Sequence, residues 1–366
     1  MQAVILVGGE GTRLRPLTST VPKPIVPLVD RPFLVYMLEW LKGHGIDDIV
    51  LAMGYLPTAV RNVLGDGDAY GVRLRYVEEP DPRGTAGALK FAEELLDERF
   101  LMLNGDVLTD LDLTAQIAQH ESTGATATLA LVPVDDPSAY GLVRTADDGA
   151  VREFVEKPSA DQIDTNLISA GAYVLERSIL DMVPPDKNVS IEREVWPQLV
   201  GDGLYAYAHQ AYWLDIGTPA RYLQGTFDII EGNVQTAVRE DLGDSYRSVE
   251  PSADIAGRVV PPAVVERQCQ VAEGAHVGPL AVLGQGATVG PGAVVERAVV
   301  LQGAEIGEGC VVRDAIIAAG ARVGAHSQIT DGAVLGEGVT IGADCVVTHG
   351  ARVFPGVEIP DGGLKF

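Results

Sequence analysis

Apolar and polar positions alternate along this chain in two different rhythms, and the change between them divides it. Up to about residue 233, short apolar runs at Ala3–Val7, Ile49–Ala52, Phe100–Leu103 and Ala127–Val132 read as buried strands. Between them Phe33–Lys42, Thr85–Leu96 and Leu113–Glu121 carry apolar residues at helical spacing. Strands alternating with helices predict a Rossmann-like α/β fold with a mainly parallel sheet. Ligands of such sheets sit beyond the carboxyl ends of the strands.

From Val264 onward the interval becomes six. Val271, Val277, Leu283, Val289 and Val295 recur at that spacing, and Val323, Ile329, Leu335, Ile341, Val347, Val353 and Ile359 resume it. This is the spacing of a left-handed parallel β-helix of hexapeptide repeats, with one branched side chain inside each flat face and small residues at the corners. The rhythm slips by one near Ile306 and again near Ile317, which predicts bulged or loop-bearing coils there. The expected organisation is an α/β domain over residues 1–233, a linker over 234–262 interrupted by Gly243, Pro251 and Gly257, and a β-helix domain over 263–366.

The segment Gly8–Pro24, GGEGTRLRPLTSTVPKP, follows directly on the first apolar run. Glycines at a strand end let a backbone approach a ligand, and the loop delivers Arg13, Arg15 and Lys23 to one small region. Lys23 stands between Pro22 and Pro24 on a stiffened backbone. The combination suits phosphate groups, yet it is not a P-loop, and Leu14 occupies the place of the third glycine of a dinucleotide fingerprint.

Charge narrows the ligand. The chain of 366 residues carries a formal net charge of −24, and nucleic acid requires a basic footprint that is missing at this scale. Against that acidic background, cations at Arg13, Arg15, Lys23 and Lys157 point to a small anionic ligand. No apolar stretch approaches the ~18 residues of a membrane span. Cys269, Cys310 and Cys345 show no metal-ligand spacing and read as packing residues of a cytoplasmic protein.

Asp106 follows the apolar run Phe100–Leu103, and Asp215 lies inside Tyr212–Pro219. A carboxylate in apolar surroundings is costly unless paired or bound to a cation. Two of them at strand ends suggest a shared divalent metal, Mg²⁺ when phosphates are present. The alternative for each is a turn or helix cap.

These segments together resemble the nucleoside-diphosphate-sugar pyrophosphorylases, most closely the mannose-1-phosphate guanylyltransferases. The resemblance is carried by Gly8–Thr18, Pro22–Pro24, Gly84–Gly87, Asn104-Gly105-Asp106, Phe154–Pro158, Ser190–Pro197, Tyr212–Pro219 and the hexapeptide tail. It implies a nucleotidyltransferase domain and Mg²⁺-dependent attack of mannose 1-phosphate on the α-phosphorus of GTP, giving GDP-mannose and pyrophosphate. It also implies roles: Arg13 and Lys23 on the triphosphate, Lys157 on the sugar phosphate, Glu156 and Gly141 on sugar hydroxyls, and Asp106 and Asp215 on Mg²⁺. Leu6, Gly8, Gly9, Glu79, Gly84, Thr85, Asn104 and Ser169 complete the expected substrate-binding set. A homo-oligomer assembled through the β-helix is the expected quaternary state.

Base choice has a chemical reading. Thymidylyltransferase relatives carry a Gln-Pro segment where this chain has Glu78-Glu79-Pro80. A carboxylate only accepts hydrogen bonds, which suits the adjacent N1–H and N2 amino donors of guanine and repels thymine O4. Two departures from the family stand out. The loop Glu79–Gly84 is two residues longer than the common pattern, and Ser169 replaces an asparagine that contacts the sugar. Alternatives are therefore another sugar such as a manno-heptose 1-phosphate, another base as in glucose-1-phosphate thymidylyl or uridylyl transfer, or a non-catalytic regulatory paralogue. Acyl transfer by the tail would need a catalytic histidine among His276, His326 and His349.

Overall fold

The computed structural model describes residues 1–365. The chain forms two compact units that do not follow sequence order: Met1–Gly9 with Leu34–Trp213, and Glu10–Phe33 with the chain from Leu214 onward.

The first unit is built on a nine-stranded sheet. Gln2–Leu6 lies between Asp48–Met53 and Arg99–Asn104, parallel to both, and Arg73–Glu78 extends the parallel set. Ala3, Val4, Ile5, Val50, Leu51, Phe100 and Leu101 are wholly buried, the near-continuous apolar run of strands covered on both faces. Beyond Arg99–Asn104 the sheet becomes antiparallel through the long strand Leu167–Glu176, which also pairs Ala127–Pro133 and Gly141–Thr145. The helices expected near residues 33 and 113 are Phe33–Gly43 and Leu113–Thr123. The one expected over Thr85–Leu96 is Gly84–Phe91 followed by a tighter 3₁₀ turn, Glu93–Leu95.

The second unit contains a parallel β-helix of three sheets with seven, seven and six strands, consistent with the left-handed coil that hexapeptide repeats build. Its first coil is Arg247–Val249, Asp254–Ile255 and Arg258–Val259, inside the segment read from the sequence as a linker. Polar residues at the outward positions of that coil hide its spacing. The cysteines are buried free thiols, and burial raises the pKa of Cys269 and Cys310.

The slips in the repeat have the opposite sign to the one expected. Ala263 pairs Ala281, 18 residues on, whereas Ala281 pairs Ala298 and Val299 pairs Ile316, 17 residues on. A residue is removed from the corner, not inserted. The corners turn on the left-handed residues Arg297, φ 48, and Asp314, φ 47; Arg297 alone joins Val294–Glu296 to Ala298–Val300, and Asp314 with Ala315 joins Val311–Arg313 to Ile316–Ile317. Arg297 Nε donates to Asp314 Oδ1 at 2.7 Å, stacking one shortened corner on the other.

One face of the β-helix is apolar on its outside as well as its inside. Its outward column reads Val264, Val282, Val299, Ile316 and Val334, all buried, in register above one another. The corresponding column of a second face is Gln270, Thr288, Glu305, Arg322, Thr340 and Glu358.

Candidate active site

The second unit gathers two of the predicted phosphate-binding cations, Arg13 and Lys23, around one carboxylate, whereas Arg15 pairs with Glu10 at 3.3 Å. Asp215, with 14% of its side chain exposed, lies 3.7 Å from Arg13 Nη2, 3.9 Å from Lys23 Nζ and 3.3 Å from Arg221 Nη1. Three cations on one carboxylate leave a surplus of positive charge, which favours a further anion. Two glycines permit this packing. Gly11 adopts φ 63, and a Cβ there would lie 3.2 Å from Lys23 Cβ. A Cβ on Gly217 would come within 2.8 Å of Asp215 Oδ1 and 2.9 Å of Arg13 Nη2. Lys23 itself is almost fully buried in the 3₁₀ turn Lys23–Ile25. Arg221 was not singled out from the sequence; it sits in the first turn of the helix Pro219–Glu231, which Thr218 caps by accepting from the Arg221 amide.

The other predicted residues lie in the first unit. Leu6 and Asn104 are register partners on the two central strands, and Gly105 N donates to Leu6 O at 2.9 Å. Asp106 occupies the turn between Arg99–Asn104 and Val107–Thr109 and is half-buried. A Cβ on Gly8 would stand 3.9 Å from Glu79 Oε1, whereas at Gly9 it would meet nothing within 4 Å. Glu79 accepts from the Arg83 amide at 3.3 Å, and burial pushes its carboxyl above the usual range.

Gly141 pairs with Glu156 across two antiparallel strands, so the Gly141 backbone lies beside the Glu156 carboxylate. Lys157 follows at φ 53, a left-handed backbone that costs a non-glycine residue on the order of 1 kcal/mol and aims its exposed side chain differently from the rest of the strand. Burial, and next the negative charge of Glu192, raise the Glu156 pKa. Glu192 is thus a close electrostatic neighbour of Glu156. Its only signal in the sequence is the Ser-x-Glu order within Ser190–Pro197.

Three residues of the predicted substrate-binding set also make contacts within the protein. Thr85 Oγ1 donates to Glu192 Oε2 at 2.8 Å and accepts from the Ile191 amide, so its hydroxyl orients Glu192. Gly84, at φ 69, packs against Val189, where a Cβ would meet Val189 O at 2.6 Å. Ser169 Oγ bonds Tyr173 OH at 2.9 Å, beside Trp213, whose indole N–H donates to Ala170 O. His276 lies in a β-helix strand, while His326 and His349 take left-handed corner positions.

Among the described residues no group of three or more His, Cys, Asp or Glu could hold a metal by itself. Residues 2–232 match the family model described as Nucleotidyl transferase, and residues 259–362 the one described as GMPPB C-terminal domain. The chain belongs to the nucleotidyl transferase family. This nucleotidyl transferase is 40% identical over 380 residues to mannose-1-phosphate guanylyltransferase of Mycobacterium tuberculosis, an alignment that covers 100% of the chain and 98% of the relative. Mannose-1-phosphate guanylyltransferase 1 of Arabidopsis thaliana is 36% identical over 82% of the chain and 81% of its own length. Among solved structures, HddC from Yersinia pseudotuberculosis is 31% identical with TM-score 0.55, covering 62% of this chain and 97% of that one. The same protein complexed with GMP-PN superposes with TM-score 0.54. No helix among the described residues is long and apolar enough to cross a membrane.

Proposed function

We propose that this nucleotidyltransferase makes GDP-mannose and pyrophosphate from GTP and mannose 1-phosphate, in the cytoplasm and with Mg²⁺. The observation that carries the proposal is the cluster of Arg13, Lys23 and Arg221 around Asp215, together with the full-length similarity to relatives named mannose-1-phosphate guanylyltransferase.

The nucleophile needs no general base. A phosphate monoester has a second pKa of about 6 and is largely ionised at neutral pH. The work left to the protein is positioning and charge neutralisation. Arg13, Lys23 and Arg221 hold the triphosphate and follow its charge into the departing pyrophosphate. Lys157 binds the sugar phosphate and so offsets the repulsion between two anions brought in line. The Glu156 carboxylate and the Gly141 backbone accept and donate hydrogen bonds at the sugar hydroxyls, with Glu192 held by Thr85 and Ser190 as a second acceptor nearby. Glu79 accepts from guanine N1–H and N2.

Mg²⁺ takes one or two carboxylates and leaves its remaining positions to water and substrate phosphates, a demand that aspartates meet without a complete protein cage. Asp106 and Asp215 would hold it, and when bound it supplies positive charge to the phosphate oxygens.

A second reading, transfer to a different sugar, is favoured by Ser169, whose short side chain is already engaged with Tyr173. Assembly through the β-helix draws support from Val294, Val311 and Val346, half-buried outward valines on its third face. A panel of GTP, dTTP and UTP against mannose, glucose and manno-heptose 1-phosphates, read by pyrophosphate release, tests the reading. Fastest release is expected with GTP and mannose 1-phosphate. No release with that pair rejects it.

A further inference from the structure

The outward column of buried aliphatics on the β-helix ends in one charged residue. Arg352 pairs with Val334 at the next position of that column. Its Nη1 donates to two backbone carbonyls of the glycine-rich loop, Arg13 O and Arg15 O, each at 3.1 Å. On the preceding coil, Glu337 accepts from Thr20 Oγ1 at 2.5 Å. Two consecutive coils therefore grip the segment between Arg13 and Thr20 near both ends, across 339 and 317 residues of chain.

We propose that Arg352 is a positioning residue for nucleoside triphosphate binding, and that the end of the β-helix sets the conformation of the phosphate loop. The proposal rests on the reading of Gly8–Lys23 as that loop. Within the loop the backbone bonds run from Leu14 N to Gly11 O, from Arg15 N to Thr12 O and from Leu17 N to Leu14 O, and Thr18 Oγ1 donates to Gly11 O. The carbonyls of Arg13 and Arg15 lie outside this set and are the ones Arg352 takes.

A guanidinium shared between two carbonyls fixes both peptide planes, a task for which its rigid fork of donors is suited. It also occupies carbonyl lone pairs that would repel a phosphate. The Arg13 side chain is 67% exposed, so packing does little to restrain it and its starting point is set by its backbone. Without Arg352 the ordering of that backbone would fall on the nucleotide as it binds, and affinity would drop.

The test compares full-length Arg352→Met, which keeps much of the stem and removes the donors, with Arg352→Lys and with Glu337→Gln. Triphosphate affinity is measured by calorimetry without sugar phosphate, using GTP, dTTP, UTP and ATP. Amide hydrogen exchange of residues 10–20 is followed without nucleotide. Expected for Arg352→Met are a Kd about tenfold weaker for whichever triphosphate the unaltered protein binds best (about 1.4 kcal/mol) and a matching rise in its KM. The KM for sugar phosphate stays within twofold, the Leu14, Arg15 and Leu17 amides exchange faster, and the thermal midpoint is unchanged. Arg352→Lys should recover part of the affinity, and Glu337→Gln should show a smaller effect of the same kind. Unchanged exchange in the loop overturns the proposal, and so does an affinity within twofold of the unaltered protein. Equal damage to both substrates together with a lowered thermal midpoint also overturns it. If the unaltered protein binds a triphosphate yet releases no pyrophosphate with mannose 1-phosphate, the proposed reaction fails while the loop measurements still decide the role of Arg352.

Discussion

The cationic cluster around Asp215 and the acidic pair Glu156 and Glu192 solve opposite electrostatic problems. In the first, Arg13, Lys23 and Arg221 converge on one partly buried carboxylate. In the second, burial penalises the charge of Glu156 and the nearby carboxylate of Glu192 adds to the penalty. An excess of cations awaits an anion; an excess of acceptors awaits hydroxyl donors. A phosphorylated sugar and a nucleoside triphosphate need both kinds of surface, and the chain builds them in separate units.

The contrast is broken most severely at its cationic side. Lys23→Met removes a buried ammonium from the cluster, and kcat/KM for pyrophosphate release should fall on the order of 10³-fold, about 4 kcal/mol, with the larger part in kcat. Next comes the acidic side. Glu156→Gln should raise the KM for sugar phosphate about tenfold and leave the KM for GTP nearly unchanged.

The same residue makes a pH prediction. Because its pKa is raised in the folded protein, Glu156 holds its proton more tightly there than in the unfolded chain, so stability falls as pH rises from the ordinary carboxylate value through the raised one. Glu156→Gln should gain thermal stability relative to the unaltered protein across that window and hold the gain above it. Glu192→Gln should move the acid limb of the sugar-phosphate KM profile to lower pH.

Glu79→Gln sharpens the comparison at the base. The preference for GTP over dTTP should narrow about tenfold, and an unchanged preference would remove Glu79 from base recognition. The smallest effect belongs outside both regions. Asp314→Asn, at an exposed corner of the β-helix, should cost no more than about 1 kcal/mol in denaturant unfolding and leave activity intact.

What was legible in the sequence followed from periodicity and from motifs. The apolar runs located the central strands, and the interval of six located the coils, because one buried side chain per face is a strict requirement. The glycine-rich loop announced its cations, and Asp215 stood out as a carboxylate among aromatic and aliphatic neighbours. The rest depended on distances that spacing does not encode. Arg221 lies six residues beyond Asp215, yet only the turn through Gly217 and the cap at Thr218 bring its guanidinium to 3.3 Å. Thr85, expected on substrate, also donates to Glu192, 107 residues away, a bond that no spacing foretells. The slipped repeats were visible as a missing register, and the strand pairing shows each to be a corner shortened by one residue. Arg352 was invisible because an arginine in an outward repeat position normally faces water.

The aliphatic column Val264, Val282, Val299, Ile316 and Val334 bears on how such enzymes can be recombined. A tail of this kind is not a portable handle: excised and produced alone it would present a greasy strip along its length and tend to precipitate. Grafting it onto a different transferase would require repainting that strip with polar side chains. Swapping in a foreign tail would demand the reverse, five branched residues at intervals of 17 and 18.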